Sequence, residues 1–304
     1  MSKKRIVIAG GSGFIGTALT QAFSERGDEV IVLTRRARAR RDRVREVVWD
    51  GEHPGDWMPF LDGADAVINL TGKNINCPHT PENLRGILAS RVNSVNALAA
   101  AMGQGAQPPR VWVQASATGF YGDTGNTVCD ESAPAGSDAL AEVCRQWESA
   151  FAAAKVPQIR KVALRIGFVL GRGGGALPVL SRLTKYFLGG AVGSGRQYIS
   201  WIHLADLVRI FVAAVGSENM SGTYNAVAPG AVTNAEFMRE LRRVWQRPWS
   251  PPAPVFAVKL GSRLLGSEAS LALVSQRCAP KRILEAGFQF QFPDLRAALN
   301  DLCH

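Results

Sequence analysis

The sequence lacks any apolar run long enough to cross a membrane. Its longest runs, such as residues 207–215, are interrupted or shorter than the roughly 20 residues that a bilayer requires. A predicted strand begins almost at the N-terminus, which leaves no room for a signal peptide. We therefore expect a cytoplasmic protein with no membrane partner.

Cysteine is scarce, and its spacing forms no motif. The five cysteines are Cys77, Cys129, Cys144, Cys278 and Cys303. Their number is odd and no two of them form a Cys-x-x-Cys pair, which speaks against a disulfide framework and against a zinc site. The cysteines thus predict a reducing compartment and no metal centre.

The most informative stretch that is present lies close to the start of the chain. Residues 5–36 read RIVIAGGSGFIGTALTQAFSERGDEVIVLTRR. Residues 6–9 form a short apolar run typical of a buried parallel strand, and residues 14–23 carry apolar side chains at helical spacing before Gly27. A second apolar run at residues 30–33 completes a predicted strand–helix–strand unit.

Gly10, Gly13 and Gly16 stand three residues apart in the turn between the first strand and the helix. Glycines at such positions permit a tight turn, let the backbone approach a pyrophosphate, and let the helix pack closely on the strand. The start of the helix then presents free N–H groups and the positive end of its dipole to phosphates. The placement predicts dinucleotide binding rather than a purely structural turn.

The end of the second strand lacks the acidic residue that would hydrogen-bond the ribose 2′-OH of NAD. It holds Thr34, Arg35 and Arg36 instead. A guanidinium suits a 2′-phosphate because its fork can bind two oxygens at once. The cofactor predicted from these residues is NADP(H). The alternative is that the arginines only begin a solvated basic loop.

The net charge of +10 comes largely from one arginine run. Its members are Arg35, Arg36, Arg38, Arg40, Arg41, Arg43 and Arg45, interrupted by the single acid Asp42. Such a run is usually a solvated face or loop. No recognition helix, zinc finger or aromatic stacking motif accompanies it, so we expect no nucleic-acid partner.

Later strand ends supply further cofactor contacts. Asp50 follows a predicted third strand at residues 44–49, where an adenine contact is expected. A predicted fourth strand ends in residues 69–72, which could let the middle of the dinucleotide approach or could form only an ordinary turn. The predicted cofactor-binding residues are Gly10, Gly11, Ser12, Gly13, Phe14, Ile15, Gly16, Thr34, Arg35, Arg36, Asp50, Leu70, Thr71, Gly72, Ser116 and Arg165.

Strands and helices continue to alternate, which predicts an α/β fold with a doubly wound parallel sheet of the Rossmann type. We assign residues 1–166 to this domain and expect residues 203–230 to return to it. Residues 167–202 and 231–304 are predicted to form a smaller substrate-binding lobe, in which Thr233 caps a helix.

Seven motifs spread over the chain support a resemblance to a known family. They are GGSGFIG, VINLTG, SATGFYG, DALAEVCRQWE, LRIGFVLGRGGGAL, GSGRQYISWIHLAD and APKRILEAGFQF. The chain resembles the extended, atypical short-chain dehydrogenases/reductases, which are similar to NAD-dependent epimerases/dehydratases. More narrowly, it resembles epimerase-family proteins that end in a domain of unknown function. This resemblance implies a Rossmann domain that binds NADP.

The resemblance also reveals departures. Members of the wider family use a Tyr-x-x-x-Lys pair, in which tyrosine delivers a proton and lysine lowers the tyrosine pKa and holds the nicotinamide ribose. Aligned with that pattern, the two positions hold Leu140 and Cys144, and Ala117 stands where the family's serine or threonine is expected. An asparagine of the preceding helix is replaced by Arg91. The usual proton relay is therefore predicted to be missing.

The candidate catalytic residues are Tyr121, His203 and Arg91. Tyr121 could enter the cleft, with a pKa lowered by a nearby arginine, or it could pack under a loop. His203 titrates near neutrality, or it could cap the following helix or bond to Asp206. Trp201, Arg172 and Arg196 could contact substrate or brace the lobe.

The predicted function is that of an NADP(H)-binding, epimerase-like oxidoreductase. Its substrate would be a small polar carbonyl or a nucleotide-sugar-like ligand, and the protein would be a monomer or a homodimer. The alternative is a non-catalytic NADP(H)-binding sensor or regulatory protein that kept the cofactor site and lost the proton relay.

Overall fold

The structure is a computed structural model that describes residues 3–38, 44–264 and 268–304. A seven-stranded parallel sheet forms its centre, with the strand order β10-β6-β5-β4-β1-β2-β3. These strands are β1 (Arg5–Ala9), β2 (Glu29–Thr34), β3 (Val44–Val48), β4 (Ala66–Asn69), β5 (Val111–Ala117), β6 (Arg160–Ile166) and β10 (Gly222–Ala226). The predicted doubly wound α/β fold is confirmed.

Helices cover the sheet because their apolar faces match its buried strands. They are α1 (Phe14–Glu25), α2 (Pro81–Gln104), α3 (Ala139–Ala153), α4 (Leu177–Lys185), α5 (Leu204–Gly216), α6 (Asn234–Val244), α7 (Val255–Leu264), α8 (Lys281–Glu285) and α9 (Leu295–Cys303). Helix α1 packs beside α5, and α2 packs beside α3. The inner strands are fully buried, as expected for a sheet covered on both faces.

Two short sheets lie outside the main one. Strand β7 (Phe168–Leu170) pairs in parallel with β9 (Trp201–His203), and β8 (Tyr198–Ile199) pairs antiparallel with β11 (Val232–Thr233). A second apolar core lies here, built around Trp201, Phe237 and Leu299.

Thr233 caps α6 as predicted. Its hydroxyl accepts the N–H of Glu236, and the carboxylate of Glu236 accepts the N–H of Thr233.

The C-terminal residues also meet the sheet domain at the loop that follows β4. The N–H of His79 donates to Glu268 Oε2 at 3.0 Å, and the N–H of Glu268 donates to Asn76 Oδ1 at 3.3 Å. These contacts join residues nearly 200 positions apart in the chain. None of the described helices is long and apolar enough to span a bilayer.

Candidate functional site

The glycine-rich turn joins β1 to α1, and its three spaced glycines differ in their surroundings. Gly10 has a backbone φ of +76°, which residues with a side chain rarely adopt. A β-carbon at Gly16 would lie 2.5 Å from the Gly11 α-carbon, so the helix packs directly on the turn. Gly13 has an ordinary φ of −79°, and a β-carbon there would make only an ordinary contact, 3.4 Å from the Gly10 carbonyl oxygen. Nothing within the described protein requires glycine at position 13, whereas a closely approaching ligand would.

Polar and basic groups gather at the end of β2. The hydroxyls of Ser12 and Thr34 lie 3.0 Å apart and tie the glycine turn to this strand end. A cavity of about 850 Å³ adjoins them, and Arg35 and Arg36 line it with exposed side chains. Ser12, Thr34, Arg35 and Arg36, four of the predicted cofactor-binding residues, therefore lie together. Arg40, Arg41 and Arg43 of the basic run lie outside the described residues.

Asp50 organises the turn after β3. Its carboxylate accepts the N–H groups of Glu52 and His53 and lies 2.7 Å from His53 Nδ1. These hydrogen bonds, led by the backbone N–H of His53, lower the pKa of Asp50 to about 2. Gly51 brings the turn back towards β4, because a β-carbon there would lie 3.4 Å from Thr71 Cγ2. The carboxylate thus serves the turn, and its contact with adenine stays a prediction.

A threonine hydroxyl just after the end of β4 lacks a hydrogen-bond partner among the described residues. The Thr71 hydroxyl is buried and makes no hydrogen bond with any described residue. Its neighbour Leu70 lies against Gly10 of the glycine turn, since a β-carbon at Gly10 would lie 3.1 Å from the Leu70 carbonyl carbon. An orphaned hydroxyl beside the turn fits a cofactor that crosses the sheet edge at this point.

Arg91 extends from α2 over the same strand end. Its Cζ would lie 2.9 Å from a β-carbon at Gly72, so a side chain at position 72 would have to displace the guanidinium. Nη1 donates to the carbonyl oxygens of Lys73 and Ile87, each at 3.0 Å, and the guanidinium lies 5.0 Å from the Trp147 ring. Burial lowers the pKa of Arg91. No carboxylate among the described residues pairs with it, which leaves Nε and Nη2 for a ligand.

Ser116, Tyr121 and Arg165 belong to a buried hydrogen-bond network. The Arg165 guanidinium donates to both carboxylate oxygens of Glu148, at 2.9 and 2.8 Å, and to the Tyr121 hydroxyl at 2.8 Å. Ser116 donates to the same carboxylate at 2.6 Å. Ser116 and Arg165, two of the predicted cofactor contacts, thus both pair with Glu148 of α3, because a largely buried carboxylate must be paired. Their contact with the cofactor stays a prediction.

Tyr121 packs under the loop that follows β5, which was one of its two predicted placements. Its hydroxyl lies 2.7 Å from Asn225 Oδ1 and 2.9 Å from the Asp130 carbonyl oxygen. Burial raises the pKa of Tyr121 to about 12, although Arg165 opposes the shift. The lowered pKa that a proton donor would need is therefore absent.

His203 caps α5 with its imidazole. Nδ1 accepts the N–H of Ala205 at 3.0 Å, Nε2 lies 3.2 Å from the Asp301 carboxylate, and the ring stacks on Phe292. Burial lowers the pKa of His203. Since both ring nitrogens have partners within the fold, the geometry favours a structural role over catalysis.

Trp201 and Arg172 were expected either to contact substrate or to brace the smaller lobe, and both make hydrogen bonds within the fold. Trp201 is buried and donates from Nε1 to the Gly230 carbonyl oxygen, and Arg172 donates to the Asp301 carbonyl oxygen.

A contact that the sequence did not predict joins the residues after β5 to the C-terminal part of the chain. The Thr118 hydroxyl donates to Gln276 Oε1 at 2.7 Å, across 158 residues. A β-carbon at Gly119 would lie 3.6 Å from Cys144 Sγ and 4.0 Å from Gln276 Nε2. Gln276 and Cys144, which stands where the resemblance expects lysine, therefore both lie next to Gly119. No periodicity or motif marks Gln276, so only its fold-dependent position identifies it.

The sheet, the glycine turn and the ligand-facing strand ends define a Rossmann-fold protein. Residues 6–226 match the model of the NAD dependent epimerase/dehydratase family, and residues 253–302 match a domain of unknown function, DUF1731. The chain belongs to the NAD-dependent epimerase/dehydratase family, which confirms the resemblance.

Relatives match this chain over nearly its full length. Epimerase family protein SDR39U1 of Mus musculus is 37% identical over 305 residues, covering 98% of this chain and 99% of the relative. Epimerase family protein YfhF of Bacillus subtilis is 34% identical over 301 residues, covering 98% and 97%. The crystal structure of human epimerase family protein SDR39U1 with NADPH superposes with a TM-score of 0.86 at 33% identity, covering 98% of each chain.

Proposed function

We propose that this chain binds NADP(H) and is an epimerase-like oxidoreductase of the extended short-chain dehydrogenase type. The observation that carries the proposal is the pairing of an open Gly13 with two exposed arginines, Arg35 and Arg36, at a strand end that has no acid. The human relative crystallised with NADPH supports it. Gly10 to Gly16 would hold the pyrophosphate, Thr34 and the two arginines the 2′-phosphate, and Leu70, Thr71 and Gly72 the middle of the dinucleotide.

When bound, NADPH supplies a hydride to a carbonyl carbon. Of the three catalytic candidates, we retain Arg91, because it alone lies at the cofactor edge with N–H groups free of described partners. Its charge would stabilise negative charge at the nicotinamide end of the cleft. Tyr121 and His203 act through the fold.

We infer that the proton relay of the wider family is missing, since Leu140 and Cys144 stand at the positions aligned with its tyrosine and lysine. Burial raises the pKa of Cys144 to about 12, so its thiol stays neutral, and Leu140 cannot donate a proton. A positioned proton donor typically contributes about 10²–10⁴-fold in rate. We therefore expect slow turnover of a small polar carbonyl or nucleotide-sugar-like substrate, with the proton drawn from water.

The Rossmann domain would consist of residues 1–166 and 203–230, and the smaller lobe of residues 167–202 and 231–304. The substrate would lie between the two. The exposed Arg196 of this lobe stays a candidate substrate contact. Five free cysteines are consistent with a cytosolic protein, and the protein would act as a monomer or a homodimer.

Calorimetric titration with NADPH and NADH tests the cofactor assignment. We expect NADPH to bind roughly tenfold to a hundredfold more tightly, since charge-assisted hydrogen bonds to the 2′-phosphate contribute about 1.5–3 kcal/mol each. Arg35→Ala should remove most of this preference. Arg110→Ala, which removes another exposed charge just before the start of β5, at the other end of the parallel strands, should leave it intact.

Equal affinity for the two cofactors, or a preference unchanged in Arg35→Ala, would contradict the assignment. The same protein is then assayed for NADPH oxidation with a panel of small ketones and aldehydes. Tight NADPH binding without turnover of any member would favour the sensor over the enzyme.

A further inference from the structure

A short segment of the C-terminal domain, residues 275–278, is fixed by hydrogen bonds to the loop after β5 and to the residues around β8. Hydrogen bonds fix residues 275–278 from both sides: Thr124 N to Ser275 O at 2.8 Å, Gln276 N to Tyr198 O at 2.9 Å, Arg277 N to Thr124 Oγ1 at 3.0 Å, and Cys278 N to Ser200 Oγ at 2.7 Å. These partners come from the loop after β5 and from the residues around β8. The side chain of Gln276 therefore starts from a backbone that cannot easily shift.

In the structure, the Gln276 amide turns its carbonyl oxygen to Thr118, whose hydroxyl donates to Oε1 at 2.7 Å. Nε2 then has no hydrogen-bond partner among the described residues and lies 4.0 Å from the β-carbon position at Gly119. It faces the space above Gly119, where a β-carbon would make only ordinary contacts. The free group is thus a pure donor, which a ligand must meet with an acceptor.

The groups in direct contact with this space are uncharged. Cys144 Sγ and Gln276 Nε2 lie within 4 Å of the β-carbon position at Gly119, and the buried thiol is neutral. Arg91 is one of the charges that act on this thiol. Nε2 can donate to any acceptor, including the carbonyl oxygen of a ketone or an aldehyde.

We propose that the C-terminal domain completes the substrate site by presenting Gln276 Nε2 to the carbonyl oxygen of the substrate. The inference rests on the proposed function and adds a residue that recognises the substrate. It also gives the domain of unknown function a task, because the donor comes from residues 253–302 while its orienting hydroxyl comes from the sheet domain.

Dihydroxyacetone and glycerol make a matched pair of probes, since they differ only in the carbonyl group. Each is titrated into ¹⁵N-glutamine-labelled protein with and without NADP⁺, a state that cannot reduce the ketone. The Gln276 side-chain amide signal is assigned by its loss in Gln276→Leu. We expect dihydroxyacetone to shift this signal and glycerol to leave it in place.

Gln276→Leu should weaken dihydroxyacetone binding by roughly three- to tenfold, the range of one neutral hydrogen bond, with NADP⁺ affinity unchanged. Gln289→Leu, at an exposed position of the same domain, is the control and should bind like wild type. Gly119→Ala keeps Gln276 in place but fills the space in front of it, so it should weaken binding even if Gln276→Leu misfolds.

Three results overturn the inference: a probe preference that is absent in wild type, a Gln276 signal that does not move, or variants that bind the ketone normally. Loss of NADP⁺ binding in wild type is a separate result. It contradicts the proposed function, and the titration without cofactor still reports on Gln276.

Discussion

Gly13 and Gly16 lie three residues apart in one turn, yet a side chain at each would meet different surroundings. Valine at position 13 projects into open space, where we propose that the pyrophosphate lies. Gly13→Val should therefore weaken NADPH binding by about a hundredfold, a loss of about 2.7 kcal/mol, while the chain stays folded. Calorimetry and urea unfolding measure the two effects separately.

Gly16→Val is the matched control because its β-carbon would lie within 2.6 Å of the Gly10 carbonyl oxygen. This variant should lose about 3 kcal/mol of unfolding free energy through overpacking. A Gly13→Val protein that keeps near-normal affinity would show that the turn is only structural.

The burial of Tyr121 should make the free energy of unfolding depend on pH in alkaline solution. Below pH 10 its hydroxyl is protonated in the folded and the unfolded chain, and its contribution to stability is fully present. Between pH 10 and about 12 the unfolded chain loses a proton that the folded chain retains. The free energy of unfolding should therefore fall by about 1.4 kcal/mol per pH unit in this window.

Tyr121→Phe should lack that component of the decline, whereas Tyr186→Phe, at an exposed tyrosine, should keep it. Urea unfolding at pH 8, 10 and 11 compares the three proteins. Parallel curves for wild type and Tyr121→Phe would mean that the Tyr121 hydroxyl titrates normally.

At the scale of elements, the N-terminus of α6 offers a direct test. Thr233→Ala removes the hydroxyl that accepts the Glu236 N–H and breaks the reciprocal capping contacts. The expected cost is about 1 kcal/mol of unfolding free energy, and Thr233→Ser should recover most of it. Urea unfolding measures both, and an alanine variant as stable as wild type would refute the role of the cap.

Local signals predicted the elements well because each depends on neighbours in sequence. The apolar run before Gly10 became β1, and the helical spacing up to Gly27 became α1. The direction of a side chain at a strand end is different. Strand β5 ends at Ala117, and the hydroxyl of Ser116 near that end donates to Glu148. Side-chain direction at a strand end depends on packing that the sequence does not display.

For the whole molecule, the sequence predicted that the glycine turn and the end of β2 come together, but it did not predict which residues lie around Gly119. The residues from Gly10 to Gly16 and from Thr34 to Arg36 are close in sequence, and their motif carries its own geometry. Gln276 meets Thr118 only after the entire sheet and lobe have formed. The same holds for the pairing of Arg165 with Glu148, since arginine alone does not reveal whether it meets a ligand or a buried carboxylate.

The link between Thr118 and Gln276 also sets an order of events during synthesis. A ribosome that adds about 5–20 residues per second completes the glycine turn roughly 15–50 s before residue 276 is added. The central sheet lacks its edge strand β10 until residue 226 exists. Throughout that interval the growing chain contains the glycine turn but not Gln276, which lies next to Gly119 in the folded protein. The cleft is therefore among the last parts of the molecule to mature.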